Sequence, residues 1–465
     1  MSNIVESLIG RKYTMDNKNT LLRQLPKIDK LIQDKAFSGM NPELVKIATR
    51  TVLENIRRDL IEKSATMPEH EAITDKINSE YERTLKGTLY KVINATGVPI
   101  HTNLGRSPLP EDVCKEAMDI ACGYANLEYD VAKGKRGDRY HHVSEYLRIL
   151  TGADDALIVN NNASAVFLIL HTFAKNKEVI VSRGELVEIG GSFRVPDVMT
   201  RSGAKLKEVG TTNKTRVDDY SKAVSNKTAM MMKIHKSNYE IIGFSEEATL
   251  GEIAQSAKEA DVMSYYDAGS GLFRKVLPDS ICDDQTIPDI VKTGFDLISF
   301  SGDKMLGGTQ AGIIIGSKAL ISKIKKNQLM RMFRVDKLTL ALLQAVFRKY
   351  IDGSAGDIPV NKMLSAELPE LSEKAKRLAE MLPCATSIIE VKSTIGGGSC
   401  PTAEIPSYGV ALNIPKRKPQ QIEKLMRNNI VPIIGRVTDD KFILDVRTLD
   451  KKDFETIKNA LERII

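Results

Sequence analysis

Short apolar runs that end in small or polar turns recur through the middle of the chain. Examples are Ala156-Leu157-Ile158-Val159, Glu178-Val179-Ile180-Val181, Ala229-Met230-Met231-Met232-Lys233-Ile234 and Gly312-Ile313-Ile314-Ile315. Alternating with helical stretches, they predict an α/β domain over residues 76–345 with a doubly wound, mostly parallel sheet. Before it, Lys27-Ile28-Asp29-Lys30-Leu31-Ile32 and Leu44-Val45-Lys46-Ile47-Ala48-Thr49-Arg50-Thr51-Val52-Leu53 repeat apolar residues at three- and four-residue spacing, so residues 1–75 read as a helical domain. After residue 346, strands such as Ser387-Ile388-Ile389-Glu390-Val391 and Lys441-Phe442-Ile443-Leu444-Asp445-Val446 lie among helices at 420–428 and 452–464. That mixture predicts a smaller α+β domain over 346–465. There is no internal repeat and no low-complexity stretch.

One apolar run carries candidate chemistry. Asp296-Leu297-Ile298-Ser299-Phe300-Ser301-Gly302-Asp303-Lys304 ends at a lysine in a glycine-flanked turn that continues to Gly307-Gly308. A lysine with so little room around it is placed to form a Schiff base with a carbonyl cofactor; a surface lysine after a core strand gives the same string. A second run, Asp261-Val262-Met263-Ser264-Tyr265-Tyr266-Asp267-Ala268-Gly269-Ser270-Gly271, ends in an acid and a glycine-rich turn. Pyridoxal phosphate acts as an electron sink when a carboxylate keeps its ring nitrogen protonated, and Asp267 is the candidate. The 37 positions from Asp267 to Lys304 leave room for one crossover between adjacent parallel strands. Both side chains would then emerge at the carboxyl edge of the sheet, where ligands of α/β folds sit.

A phosphate cradle follows the first of the middle strands. Asn160-Asn161-Asn162-Ala163-Ser164 reads as a turn, and Ala165-Val166-Phe167-Leu168-Ile169-Leu170 as the opening of a buried helix whose free N–H groups suit an anion. Asn161, Asn162 and Ser164 are candidate cofactor contacts, although Asn and Ser at a helix start also serve as plain N-caps. Ser301 is a further donor, and His235 follows a strand where it can face the cofactor ring or remain structural. His141-His142 has no partner at metal-ligand spacing and reads as structural, and no metal is expected.

Bulk properties narrow the class without choosing within it. The 465 residues suffice for two or three domains. Cys114, Cys122, Cys282, Cys384 and Cys400 form no CxxC pair and no metal spacing, so they read as reduced, partly buried thiols of a cytoplasmic protein. The start reads as no signal peptide, and no apolar run reaches a bilayer-spanning length of roughly 20 residues. The net charge of +7 permits a polyanionic partner. Residues 1–60 carry Arg11, Lys12, Lys18, Arg23, Lys27, Lys30, Lys35, Lys46, Arg50, Arg57 and Arg58 against fewer acids, an excess that suits nucleic-acid phosphates or a solvated helical face.

Three longer motifs make the pattern specific: Lys91-Val92-Ile93-Asn94-Ala95-Thr96-Gly97 with His101-Thr102-Asn103-Leu104-Gly105-Arg106, the segment from Ser182-Arg183-Gly184-Glu185 to Gly190-Gly191-Ser192-Phe193-Arg194, and Ser301-Gly302-Asp303-Lys304 with Gly307-Gly308. With these the chain resembles, nearly end to end, the bacterial selenocysteine synthases, L-seryl-tRNA(Sec) selenium transferases. Thr309 stands where that pattern has proline, and Ala132-Lys133 where it has an acidic and a small polar residue. The resemblance implies a fold type I pyridoxal phosphate transferase that converts L-seryl-tRNA(Sec) to L-selenocysteinyl-tRNA(Sec) with selenophosphate, through a dehydroalanyl stage. It implies that Lys304 is the cofactor lysine and proton acceptor and that Asp303 has an active-site place. Arg106, Arg331 and Arg334 are implied to hold the selenium donor, the last two sharing a helical face if the segment is a helix. It also implies a cytoplasmic homo-oligomer, a decameric ring. Other classes are a related pyridoxal lyase or aminotransferase acting on a small free amino compound, and a tRNA-binding protein without catalysis.

Overall fold

The computed structural model describes residues 22–62, 66–189 and 193–465. Arg11, Lys12, Lys18, the chain start and the motif glycines Gly190 and Gly191 lie outside the described residues. The chain forms two compact units, Met1–Lys91 and Val92–Ile465.

The first unit is helical around its own core. Asn41 starts helix α1 (Pro42–Glu62) by accepting the N–H groups of Glu43 and Leu44 at 3.0 and 3.2 Å. From there Val45, Ala48, Val52, Ile56 and Leu60 fall on one stripe and are buried with Ile73, Ile77 and Tyr81 of α2 (His70–Lys86). The Tyr81 hydroxyl accepts the Asn41 N–H at 3.1 Å, which ties the second helix to the start of the first. Arg23, Lys27, Lys30, Lys35, Arg50, Arg57 and Arg58 are all exposed. Helix α2 runs through the expected boundary at residue 75, and the contacts break at Lys91 instead.

The second unit is built on a seven-stranded sheet. In chain order its strands are β1 (Asp155–Val159), β2 (Glu178–Ser182), β3 (Lys205–Val209), β4 (Thr228–Ile234), β5 (Met263–Gly269), β6 (Leu297–Ser301) and β7 (Gly312–Gly316). They lie side by side as β1-β7-β6-β5-β4-β2-β3. The pairs from β6 through to β3 are parallel, whereas β7 runs antiparallel to both β6 and β1. The run Gly312-Ile313-Ile314-Ile315 is therefore not a parallel strand of the doubly wound series. Only the short turn at 302–311 separates it from β6, too little chain for a parallel crossover.

The expected boundary at 345/346 falls inside the helix Lys337–Ile351, whose Leu343, Val346 and Phe347 belong to the core of the large sheet. Beyond it lies an antiparallel sheet of β8 (Ala385–Ser393), β9 (Ile405–Asn413), β10 (Arg436–Thr438) and β11 (Lys441–Asp445), in the order β8-β9-β11-β10. Its separate core includes Ile93 and Ala95, because Ile93–Asn94 pairs in parallel with Ile433–Ile434. Buried Asp445 fastens the junction: it accepts the hydroxyls of Ser393 and Ser407 at 2.8 Å and Arg436 at 3.0 Å, while its N–H donates to the Ala95 carbonyl at 2.9 Å.

The cysteines correct the sequence expectation. Cys114, Cys122 and Cys384 are free, but Cys282 and Cys400 form a disulfide with a Cα–Cα distance of 5.6 Å.

Candidate active site

Strands β5 and β6 are parallel neighbours, with Asp267 opposite Ser299 and a helix, α3 (Ile287–Lys292), in the crossover between them. Asp267 and Lys304 are each only 7% exposed, so two ionisable groups share a dry edge of the sheet. Burial is the main influence on both: it raises the Asp267 pKa and lowers that of Lys304, because water no longer solvates either charge. A hydrogen bond from Asn162 Nδ2 to Asp267 Oδ1 at 2.8 Å works against the first shift. Arg106 adds to the second by repelling a like charge, while Asp267 and Asp303 oppose it.

The lysine turn is held on several sides. Ser107 donates its hydroxyl to the Lys304 carbonyl at 2.6 Å and its N–H to the Asp303 carbonyl at 3.3 Å. Met305 N–H donates to the Ser270 carbonyl at 3.0 Å, joining the Lys304 turn to the glycine turn after Asp267. Gly271 permits that approach: it has φ +71°, and a Cβ there would stand 2.7 Å from the carbonyl oxygen of buried Ser301. Nothing in the sequence around Ser107 signals this contact, because its partner lies 197 positions away.

On the far side of β7, strand β1 leads into helix α4 (Asn162–Phe173). The helix starts at Asn162, earlier than the sequence reading placed it, so Asn162 and Ser164 lie in its first turn. Asn161 is the N-cap, its Oδ1 accepting the Ser164 N–H at 2.8 Å. That leaves the earlier first-turn N–H groups without a helical acceptor, as an anion site requires. A Cβ at Gly312 would stand 2.1 Å from the Asn161 carbonyl oxygen, so only glycine lets β7 pass under this turn.

His235 follows β4 and donates its backbone N–H to the Asp267 carbonyl at 2.9 Å. Its Nε2 lies 2.9 Å from Asp284 Oδ1, a partner the sequence reading did not name. His235 Nδ1 and Asn162 Oδ1 are buried with no hydrogen-bond partner. Two such orphaned polar atoms around Asp267, with the buried lysine amine and the open helix start, fit a cofactor that brings an aldehyde, polar ring substituents and an anionic tail.

The three arginines are not equivalent. Arg106 follows Gly105 in a left-handed pair (φ 90° and 63°), a conformation that costs a non-glycine residue about 1 kcal/mol or more. It turns the guanidinium onto Asp303, where Nη1 donates to both carboxylate oxygens at 3.0 and 2.9 Å. Arg331 and Arg334 do not share a helical face: the helix is the single turn Met330–Phe333, and Arg334 beyond it is extended. The segment is nevertheless fixed beside the helix-start turn. Asn160 N–H donates to the Phe333 carbonyl at 3.0 Å, and Arg139 to the Val335 carbonyl at 2.7 Å. Both arginines are exposed, and neither has an ion-pair partner within 4 Å among the described residues.

The family model described as L-seryl-tRNA selenium transferase matches residues 92–450. The chain is 46% identical to the L-seryl-tRNA(Sec) selenium transferase of Aliarcobacter butzleri over 449 residues, 96% of this chain and 99% of that protein. With the enzyme of the same name from Aquifex aeolicus it shares 44% identity over 452 residues, again 96% and 99%. Among solved structures, D-glucosaminate-6-phosphate ammonia-lyase superposes with a TM-score of 0.58 at 19% identity, covering 81% of this chain and 96% of that one. The architecture is fold type I, with a large mostly parallel sheet and flanking helices.

Proposed function

The chain belongs to the L-seryl-tRNA selenium transferase family, and from that premise we propose that it is the pyridoxal phosphate enzyme that converts L-seryl-tRNA(Sec) to L-selenocysteinyl-tRNA(Sec), with selenophosphate as the selenium donor. The observation that carries the reading is the placement of buried Asp267 on one strand and buried Lys304 in the turn after its parallel neighbour, close enough for each charge to act on the other. When bound, pyridoxal phosphate supplies an aldehyde for the seryl amine and a ring that takes up the electron pair left at Cα.

The chain's own residues do the rest. Lys304 Nζ, whose pKa is lowered by burial, would hold the cofactor through its aldehyde and is placed to take the seryl Cα proton. The Asp267 carboxylate, steadied by Asn162, would hold the ring nitrogen and its proton. The first turn of α4, with Asn161 and Ser164, takes the cofactor phosphate, and Ser301 adds a donor from the opposite strand. His235, whose Nδ1 has no hydrogen-bond partner, would contact the ring. Asp303 orients Arg106 toward the substrate side through their ion pair. Arg106, Arg331 and Arg334 would hold the donor's oxyanion next to the seryl β-carbon, where selenium replaces the hydroxyl, which leaves as water, and the donor's phosphate is released.

Arg331→Ala or Arg334→Ala should spare the cofactor spectrum and raise the selenophosphate concentration for half-saturation about tenfold or more. Each removes charge-assisted contacts worth roughly 1.5–3 kcal/mol. Saturation kinetics for the donor, with tRNA affinity measured alongside, check this. A loss of tRNA affinity with donor saturation unmoved assigns these arginines to the RNA backbone.

The helical unit is proposed to dock the tRNA. A match over 96% of the chain takes in most of residues 1–91, so the relatives share this unit. A lyase or aminotransferase for a small amino compound needs no such addition. Removing residues 1–91 should leave a yellow protein whose tRNA affinity falls and loses much of its salt dependence, as expected when phosphate contacts go. Binding isotherms at several salt concentrations decide it; unchanged affinity would refute the docking role.

Assembly into a homo-oligomeric ring and a cytoplasmic location belong to the same proposal, and sedimentation tests the first. No helix among the described residues is long and apolar enough to cross a membrane. The function itself is tested by incubating purified protein with seryl-tRNA(Sec) and selenophosphate. Selenocysteinyl-tRNA is the expected product, and its absence alongside turnover of a small free amino acid would support the lyase reading.

A further inference from the structure

Close to His235, outside the groups assigned to the reaction, three metal-binding side chains converge. Cys282 and Asp284 lie on the segment between β5 and α3, and Cys400 follows the glycine-rich turn at 396–398. They come from segments 118 residues apart, yet the two sulfurs and a carboxylate oxygen of Asp284 all lie within 4.8 Å of one another. Cys282 is buried, and Cys400 and Asp284 are half-buried. The three face a cavity of about 480 Å³ that is also lined by His235, Lys236 and Glu240. Nearby positive charge is already countered: Lys233 pairs with Glu185 at 2.8 Å and Lys236 with Glu247 at 3.1 Å. Asp284 is itself held by His235 Nε2 at 2.9 Å, the kind of outer contact that fixes a metal-binding carboxylate.

We propose that Cys282, Cys400 and Asp284 form a binding site for a thiophilic divalent cation of the zinc class, available when the disulfide is reduced. Two thiolates and a carboxylate supply three of the four positions of a tetrahedral zinc site, and water from the cavity fills the fourth. Sulfurs on such an ion stand roughly 3.8 Å apart, from Zn–S bonds of about 2.3 Å at the tetrahedral angle. The disulfide and the metal are mutually exclusive occupants. Reduction takes two electrons from a thiol reductant, which becomes a disulfide and supplies the two protons, or from a phosphine, which becomes a phosphine oxide while water supplies its oxygen and both protons; metal binding then releases both thiol protons to solvent. The site is joined to the cofactor edge through His235, whose side chain holds Asp284 and whose backbone N–H meets the Asp267 carbonyl.

The test uses the full-length, cofactor-loaded protein. It is reduced with a phosphine, freed of reductant and titrated with Zn²⁺ against a chromophoric chelator; Co²⁺ serves as a second probe because thiolate ligation gives it an intense charge-transfer spectrum. The reduced protein should bind one zinc per chain and show the cobalt–thiolate bands, and the oxidised protein should show neither. Cys400→Ser should lose the bands and bind at least tenfold more weakly. Asp284→Asn, close to isosteric, should weaken binding while keeping the bands, and Cys114→Ser should change nothing. Reduced wild-type protein that takes up no stoichiometric zinc would overturn the proposal. So would Cys400→Ser and Asp284→Asn proteins that retain it.

Discussion

Lys304→Ala protein should be colourless after purification and inactive in selenocysteine formation, with a rate loss of about 10⁴-fold or more, while its tRNA affinity stays close to that of the wild type. The size follows from two losses at one atom. Nζ is the attachment point of the cofactor and also the group positioned to remove the Cα proton, and general base catalysis alone contributes about 10²–10⁴-fold. Burial makes the loss specific to this lysine: at 7% exposure, desolvation lowers the pKa of its amine and so favours the uncharged form that attacks an aldehyde. Absorbance spectroscopy and single-turnover assays at saturating cofactor check both parts. An inactive Lys304→Ala protein that keeps the wild-type visible band would place the attachment elsewhere.

Asp267→Asn should give the second-largest effect, a fall of about 10²–10³ in turnover with the cofactor still bound. Removing one fixed charge from the place where charge develops costs about that much in other active sites. The substitution preserves shape, and the introduced amide can still accept from Asn162 through its oxygen; what is lost is the negative charge that keeps the ring nitrogen protonated. The absorbance of the bound cofactor should shift as well, because that proton tunes the ring. If turnover and spectrum both stay at wild-type values, Asp267 is only a structural acid under Asn162.

The parts of this site that could be read from the sequence lie at the ends of single strands or in the turns directly after them. Asp267 and Lys304 each end an apolar run, and a run buried on both faces has little freedom in where it stops, so the two emerge at one edge as their spacing implies. The reading failed where it needed to know how a short segment ends. Arg331 and Arg334 are spaced for a helix face, but the helix stops at Phe333, where tertiary hydrogen bonds from Asn160 and Arg139 capture the carbonyls of Phe333 and Val335. It failed again where contacts span long separations. Nothing local ties Ser107 to Lys304, Asp284 to His235, or Cys282 to Cys400, and from the sequence the last pair reads as free thiols. The domain edges blurred for the same reason: Ile93 falls within the span 76–345 expected of the large domain, yet pairing with Ile433 buries it in the smaller core.

Borohydride trapping tests the central claim most directly. Reducing the wild-type protein with its cofactor bound converts the lysine linkage into a stable pyridoxyl-lysine, and peptide mass mapping then finds its position. The adduct is expected on Lys304, in the peptide containing Ser301-Gly302-Asp303-Lys304. An adduct on any other lysine, or no adduct on a protein that makes selenocysteinyl-tRNA, would contradict it.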